Sequence, residues 1–299
     1  HMSDTLGGYT FYNEDFTETL HEPRYVEHHK VTDEVFAPGS HLLEINSKSG
    51  LYPLYLAYNL YRRACKEEMF SPQTLEEHLR IWDRVVSESI FVICKTPMAK
   101  AITRRTLLGF RHGKVNMWAP DDLSNKIKNQ PELFIKKVHD LVGKNVKINA
   151  IVGNPPYQET LESGRSLAKQ LFPTFIEIGV KLAPKYFTLI TPARWFTADA
   201  QDNSFPKLRD FVKKNNHFVL IVTHNGKKIF PNTELGMVNY FLWNKDFMGN
   251  TQFVEYISGT PYSLSRPLFE NDLDIIIPQN KIVSIIRKIQ ATDFTPLNA

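Results

Sequence analysis

The sequence predicts an α/β fold in which helices cover both faces of a mostly parallel, doubly wound sheet that antiparallel strands close. Short apolar runs such as Ile90-Phe91-Val92-Ile93-Cys94 have the length and composition of strands buried on both faces. Segments with apolar residues at helical spacing alternate with these runs along the chain. Further on, two strand-like runs follow each other with no helix between them, which predicts the closing strands.

The alternation is clear in the first half of the chain. Residues 41–45 predict a strand, and residues 51–63 predict a helix with Pro53 in its first turn, where proline costs no hydrogen bond. The elements predicted next, in chain order, are a helix at 72–88, a strand at 90–94, a helix at 98–108, a strand at 115–118 and a helix at 131–142.

The second half continues the pattern and then departs from it. The predicted elements are a strand at 150–152, a helix at 167–182, a strand at 186–190, a helix at 205–213, strands at 218–223, 238–243 and 252–257, and a helix at 281–289. Pro261, Pro267 and Pro278 predict irregular chain before that last helix. Residues 259–299 are too few to form a core of their own.

Composition excludes several classes of protein. The 299 residues, 42% of them hydrophobic and 23% charged, describe an ordinary globular chain. No apolar run approaches the roughly 20 residues that a membrane helix needs, and no signal peptide is visible. With Cys65 and Cys94 as its only cysteines, the sequence predicts a reducing compartment and no disulfide framework. It shows no metal-spaced His/Cys cluster and no Gly-x-x-x-x-Gly-Lys phosphate loop.

The net charge of +4 hides an uneven distribution. Two interpretations stay open for a basic stretch in the middle of the chain: solvated helix faces, or a patch that meets phosphates. Its members are Lys95, Lys100, Arg104, Arg105, Arg111, Lys114, Lys126, Lys128, Lys136 and Lys137.

The run that carries chemistry follows the strand at 150–152. Asn154, Pro155, Pro156 and Tyr157 come directly after Gly153. The two prolines stiffen the turn and offer no N–H group, so its carbonyl groups point outward. The Asn154 side-chain oxygen and the Pro155 carbonyl can then accept both protons of one amino group, while Tyr157 lies against the ring that carries it. The run predicts a pocket for a planar heterocycle with an exocyclic amine.

This run resembles the catalytic loop of amino-methyltransferases, and residues 24–243 resemble gamma-class adenine-N6 DNA methyltransferases of bacterial restriction–modification systems. The resemblance implies a Rossmann-like S-adenosylmethionine-dependent methyltransferase fold with Asn154, Pro155, Pro156 and Tyr157 as the catalytic residues. It implies a bacterial cytoplasmic enzyme that binds double-stranded DNA, with no membrane or metal, and rotates the target adenine out of the duplex. A nuclease or helicase, fused or associated, would be a further partner.

The same resemblance sets the expected domain organisation. Residues 1–23 are expected to be an N-terminal extension that begins with a tag remnant at His1-Met2. Residues 24–258 are expected to form the catalytic domain, and residues 259–299 the start of a C-terminal target-recognition region that is cut short. Base readout would then lie beyond this chain.

The resemblance also implies a cofactor site for S-adenosylmethionine. The residues that match the family's cofactor motifs are Thr32, Glu44, Asn46, Gly50, Asp121 and Asp122. Two positions depart from the family pattern: Lys48 stands where a glycine is usual, and Cys94 stands where an acid holds the ribose hydroxyl groups. We therefore expect weak cofactor binding. For Asp122, a helix N-cap is the alternative interpretation, and Phe230 is expected to join Tyr157 in stacking on the flipped base.

Three alternatives stay open. The same turn occurs in methyltransferases that act on a glutamine side chain of release factors and on guanine in ribosomal RNA. The third alternative is a degenerate, non-catalytic subunit that binds DNA without cofactor, which Lys48 and Cys94 favour.

Overall fold

The computed structural model describes residues 1–15, 17–67, 71–158, 169–233, 235–271 and 273–291. The chain divides into two compact units, His1–Ile190 and Thr191–Ala299.

The first unit contains a hairpin and a parallel sheet. The hairpin pairs β1 (Gly8–Tyr12) with β2 (Thr19–Val26) antiparallel. The sheet strands are β3 (Leu42–Ser47), β4 (Ile90–Cys94), β5 (Asn116–Trp118), β6 (Ala150–Gly153) and β7 (Tyr186–Pro192), whose last two residues belong to the second unit. They run parallel in the order β7-β6-β3-β4-β5. All residues of β3, β4, β6 and β7 are buried, as expected for a sheet covered on both faces.

Eight helices are described in this unit. They are α1 (Met2–Leu6), α2 (Lys30–Val35), α3 (Leu51–Glu67), α4 (Leu75–Ser89), α5 (Pro97–Leu108), α6 (Leu123–Asn129), α7 (Pro131–Val142) and α8 (Phe172–Lys181). Local chemistry sets several of their starts. Thr74 and Glu77 form a capping box at α4, Thr96 caps α5, and Pro131 occupies the first turn of α7.

The second unit is a smaller mixed structure. Its elements are a 3-10 turn (Ala193–Phe196), α9 (Ser204–Lys214), β8 (Phe218–Asn225), α10 (Gly226–Ile229), β9 (Met237–Asn244), β10 (Thr251–Ile257), β11 (Thr260–Arg266) and α11 (Asn280–Gln290). Strand β8 pairs antiparallel with β9 and parallel with β10, which pairs antiparallel with β11.

The predicted α/β class, with a mostly parallel sheet and antiparallel closing strands, is confirmed. Two element predictions are corrected. Residues 260–266, expected to be irregular because of Pro261, form β11 at the end of the sheet, where a strand tolerates proline. The helix expected from residue 167 begins at Phe172, because Pro173 fits only the first helical turn; residues 167 and 168 lie outside the described part. The predicted domain boundary after residue 258 falls in the turn between two paired strands, and the domain assignments stay predictions.

Candidate active site

The proline turn (residues 154–157) leaves the carboxyl end of β6, in the middle of the parallel sheet. Pro155 is buried, whereas Asn154, Pro156 and Tyr157 are half-buried. The β3–β6 ladder ends with the pair Ile45 and Gly153, so the chain turns away from β3 two residues before β3 itself ends. Carboxyl ends of parallel strands are the usual position of ligand sites in such sheets.

Gly153 allows the turn to start this close to β3. A Cβ atom built on Gly153 would lie 2.5 Å from the Ile45 carbonyl oxygen and 3.1 Å from a Leu189 methyl carbon. The first of these contacts is to backbone, which cannot move aside. Glycine is therefore required by close approach at this position rather than by an unusual φ.

Gly153→Ala is expected to destabilise the protein by about 1–3 kcal/mol, because the added methyl group pushes β3 and β6 apart. Thermal unfolding of the two proteins measures this loss. Alanine at Gly236 is the matched control for glycine replacement, since a Cβ there meets no atom within 4 Å and its φ lies outside the left-handed region. An unchanged melting temperature for Gly153→Ala would contradict the close approach.

Tyr157 closes the turn as a neutral phenol. Burial raises the pKa of its hydroxyl above the ordinary value, so the ring stays uncharged at any physiological pH. Its carbonyl oxygen accepts a hydrogen bond from the Leu171 amide at 3.1 Å, and an isolated bridge joins Gln158 to Gln170. The backbone on its C-terminal side thus holds the residue, which is half-buried.

Glu44 places a carboxyl group in the interior of β3. The residue is only 3% exposed, and its Oε2 has no hydrogen-bond partner among the described residues. Burial raises the pKa of Glu44 to about 8, and the Ser47 hydroxyl and Lys48 ammonium offset this only in part. Near neutral pH the isolated protein therefore holds Glu44 mostly protonated.

Asn46 begins the segment called here the first loop (residues 46–50), which comprises the last two residues of β3 and the three residues that join β3 to α3. Its backbone is left-handed, with φ of 75°, and its side-chain Nδ2 donates to the Asn154 carbonyl oxygen at 2.6 Å. Asn46 Oδ1 is buried without a partner in the described part of the chain. Gly50, also at positive φ, packs against α5, where its Cβ would meet Thr103 Cα at 3.0 Å.

The position expected to read the ribose carries a neutral thiol instead of an acid, and two lysines lie beside it. Cys94 ends β4 fully buried, and burial raises the pKa of its thiol to about 11, so it is neutral. The next residue, Lys95, donates its backbone N–H to the Ser47 carbonyl, which brings it beside Lys48. Partial burial and the Lys95 charge both lower the pKa of Lys48.

The other predicted site residues have local roles in the structure. The buried Thr32 hydroxyl donates to the Leu6 carbonyl and accepts from the His28 amide, both at 2.9 Å. Asp122 caps α6 by accepting from the Asn125 amide, and Asp121 is exposed. Phe230 lies in the second unit, half-buried at the end of α10. Cofactor or base contacts of these residues stay predictions.

Tyr52, in the first turn of α3, belongs to the same neighbourhood but was not predicted. Burial raises its pKa, and the Glu44 and Tyr157 groups nearby raise it further. Its hydroxyl lies 2.9 Å from His1 Nδ1, whose Nε2 lies 2.7 Å from Thr188 on β7. A tyrosine directly after the first loop was the available signal, although its helical spacing alone indicates only core packing.

The site fits S-adenosylmethionine at one end and poorly at the other. Glu44 Oε2 and Asn46 Oδ1 are buried acceptors without donors in the described residues, so an ammonium group or hydroxyl of a ligand would satisfy them. Lys48 and Lys95 cannot accept the protons of the ribose hydroxyl groups as a carboxylate does, because an ammonium only donates. No group of three His, Cys, Asp or Glu residues that could hold a metal occurs in the described ranges.

The basic stretch is mostly solvated. Arg111 pairs with Asp83 at 2.6 Å, Arg104 donates to the Gly113 carbonyl, and Lys126 donates to Gln130.

Among the helices in the described ranges, none is long and apolar enough to cross a membrane.

Sequence comparison places the chain near restriction–modification methylases. Residues 88–230 match the Eco57I restriction-modification methylase family. An uncharacterized adenine-specific methylase of Mycoplasma pneumoniae is 37% identical over 147 residues, which cover 48% of this chain and 34% of that protein. The Type II restriction enzyme and methyltransferase RM.Eco57I of Escherichia coli is 28% identical over 152 residues, which cover 45% of this chain and 14% of that protein. The resemblance inferred from the sequence is confirmed.

Solved structures agree on the fold. A nuclease-deletion mutant of the Type ISP restriction-modification enzyme LlaGI, in complex with a DNA substrate mimic, superposes with a TM-score of 0.52 at 13% identity, covering 87% of this chain and 24% of that one. The Type ISP enzyme LlaBIII bound to DNA gives 0.50 at 11% identity, covering 74% and 18%. The Rossmann-like methyltransferase fold is thereby confirmed, and this chain spans about a third or less of these relatives.

Proposed function

We propose that this chain is the methyltransferase part of a restriction–modification enzyme and transfers a methyl group from S-adenosylmethionine to N6 of an adenine in double-stranded DNA. The observation that carries the proposal is the proline turn at the carboxyl end of β6, tied by Asn46 to the first loop. The match to adenine-specific methylases supports adenine as the target. The reaction would take place in the bacterial cytoplasm.

The chemistry required of the protein is the activation of a weak nucleophile. The lone pair of an adenine amino group is shared with the ring. Asn154 Oδ1 and the Pro155 carbonyl would accept the two N–H groups and draw the nitrogen toward a tetrahedral form, which frees its lone pair. When bound, S-adenosylmethionine supplies an electrophilic methyl group. Because positioning and charge stabilisation carry the step, no strong base is needed.

Glu44 and Asn46 are the residues proposed to hold the cofactor's polar end, since their buried oxygens lack donors in the described residues. Tyr157 and Phe230 are proposed to stack on the extruded base, which is the usual means of holding a flipped nucleotide. A nuclease or helicase partner is proposed by analogy with the Type ISP restriction-modification enzymes LlaBIII, which is ATP-dependent, and LlaGI, which was solved as a nuclease-deletion mutant.

Transfer of a radiolabelled methyl group to DNA tests the proposal. The protein is incubated with labelled S-adenosylmethionine and genomic DNA that lacks adenine methylation, and the DNA is digested to nucleosides. Label in N6-methyl-2′-deoxyadenosine supports the proposal. In parallel reactions with ribosomal RNA and with a release factor, label found only in the RNA or in a protein glutamine would replace DNA as the substrate while keeping the amino-group chemistry.

Lys48 and Lys95 favour a second candidate, a DNA-binding subunit without catalysis. Two cations beside the cofactor site oppose a cationic ligand. Calorimetric titration with S-adenosylmethionine separates the two: weak but measurable binding supports the enzyme, and no binding at millimolar cofactor supports the second candidate.

Tyr157→Ala and Phe230→Ala are each expected to weaken capture of the flipped base by about 1–3 kcal/mol, because stacking is lost, while duplex binding changes little because it rests on phosphates. A 2-aminopurine at the target position should brighten with the wild-type protein and less with either variant. Phe110→Ala, which removes an exposed ring from α5's C-terminal loop, is the matched control. Equal fluorescence in all four proteins would remove Tyr157 and Phe230 from the pocket.

A further inference from the structure

A single side chain connects the first loop to the proline turn. Asn46 Nδ2 donates to the backbone carbonyl of Asn154 at 2.6 Å, and Asn46 is only 2% exposed. Because the atom that faces the amide is a carbonyl oxygen, only the nitrogen end of the amide can bond to it. The bond is short and partly shielded from water, which makes it costly to leave unmade.

This hydrogen bond joins β3 to the chain after β6, one residue beyond the last backbone pair of their ladder. Backbone pairing stops at Ile45 and Gly153, so the strands no longer pair at Asn154. The β3–β4 pairing is irregular between Ile45 and Ser47, and Asn46 is the intervening residue, at φ of 75°. Asparagine tolerates this left-handed conformation better than most residues.

The bonded carbonyl controls the geometry of the whole turn. Proline fixes φ at residues 155 and 156, and a residue before proline is confined to extended conformations. Within that extended range, the direction of the Asn154 carbonyl defines the value of its ψ. Asn46 therefore holds the peptide plane from which the Asn154 side chain and the Pro155 carbonyl project.

We propose that Asn46 is a positioning residue that orients the two acceptors of the proline turn through the Asn154 carbonyl. The inference rests on the proposed function. The Oδ1 atom of the same amide has no hydrogen-bond partner in the described residues. The same is true of Glu44 Oε2, two residues earlier in the chain. The Asn46 side chain thus holds the turn through its nitrogen, while its buried oxygen makes no hydrogen bond within the described residues.

Asn46→Asp tests the role, because it keeps the shape and the left-handed preference but turns the donor into an acceptor. At pH 8.5 the introduced carboxylate repels the Asn154 carbonyl, and kcat should fall by about 10²-fold, with KM for DNA within about threefold of wild type. As the pH is lowered to 6, the introduced carboxyl, whose pKa burial raises, regains a proton that it can donate. We expect kcat to recover toward the wild-type value measured at the same pH.

Asn149→Ala is the matched control. Asn149 Oδ1 accepts from the His41 amide at 2.9 Å, so it joins the same two strands at the opposite end. This variant should lose comparable stability, keep kcat, and show no pH-dependent recovery. An Asn46→Asp protein that keeps wild-type kcat at pH 8.5, or that loses kcat equally at both pH values, would overturn the proposal.

Hydrogen exchange of a peptide spanning residues 150–158 gives a readout without substrate. Exchange should be faster than wild type in Asn46→Asp at pH 8.5 and in Asn46→Gly, which keeps the left-handed backbone and serves if the aspartate variant does not fold. Unchanged exchange in both variants would overturn the proposal. If the wild-type protein methylates nothing but exchange is faster in the variants, the proposed function is refuted. The structural role of the hydrogen bond between Asn46 and Asn154 would then still stand.

Discussion

Asn154→Ala is expected to abolish detectable methyl transfer, with a loss on the order of 10²–10³ in kcat, while the protein stays folded. Asn154 Oδ1 is one of the two acceptors proposed to act on the adenine amine, and no neighbouring side chain in the turn can replace it, since residues 155–157 are two prolines and a tyrosine. Because Asn154 is half-buried, its truncation leaves no large core cavity. Initial rates of labelled methyl transfer measure the effect.

Asn154→Asp is the informative companion. A carboxylate keeps the acceptor oxygen and the size of the side chain but loses the amide N–H groups. We expect it to retain more activity than Asn154→Ala, with the melting temperatures of both variants close to wild type. A folded Asn154→Ala protein with wild-type kcat would show that the proline turn is not the catalytic element.

Local patterns in the sequence predicted the framework of the site well. The proline turn is contiguous, and Gly153 marks the end of an apolar strand, so its place at a strand's carboxyl end follows from neighbouring residues alone. The same holds for β4 and α7, which begin and end at the predicted residues. Residues near in the sequence decided these features, because strand and helix periodicity is local.

Contacts between distant segments of the chain could not be predicted from the sequence. Asn46 and Asn154 are 108 residues apart, and nothing local indicates that one side chain meets the other's carbonyl. The hairpin of β1 and β2 was missed because its residues are mostly exposed or half-buried and lack a clean alternation of burial. Thr32 matched a cofactor motif, yet its hydroxyl bonds to the Leu6 and His28 backbone. Burial of Glu44, which raises its pKa, is likewise a property of the assembled sheet.

Glu44→Gln is expected to stabilise the protein, and the gain should grow as the pH rises. The pKa of Glu44 is about 8 in the folded protein, against 4.5 for the free side chain. Below pH 4.5 both states hold the proton. Between those two values only the unfolded state ionises, so wild-type stability falls as the pH rises, by about 5 kcal/mol in all, and the loss is complete above the folded pKa.

Glutamine removes the ionisation, so the stability difference between Glu44→Gln and wild type should widen from pH 5 to pH 8.5. Urea unfolding at both pH values measures it. Glu34→Gln is a control of opposite sign: although partial burial opposes it, hydrogen bonds from Lys185 and Tyr186 lower the pKa of Glu34. Its carboxylate stabilises the fold above the free-side-chain pKa, so Glu34→Gln should lower stability at pH 8.5 and matter least in acid.

Cofactor binding should draw the proton off Glu44. A cationic ligand beside this carboxyl lowers its pKa, so at pH 7 we expect about one more proton to be released per bound S-adenosylmethionine by wild type than by Glu44→Gln. Calorimetric titrations in two buffers with different ionisation enthalpies count these protons. Equal proton release by wild type and Glu44→Gln would place the cofactor away from Glu44. In the unfolding experiment, a stability difference that does not widen with pH would show that the Glu44 carboxyl is already ionised in the folded protein.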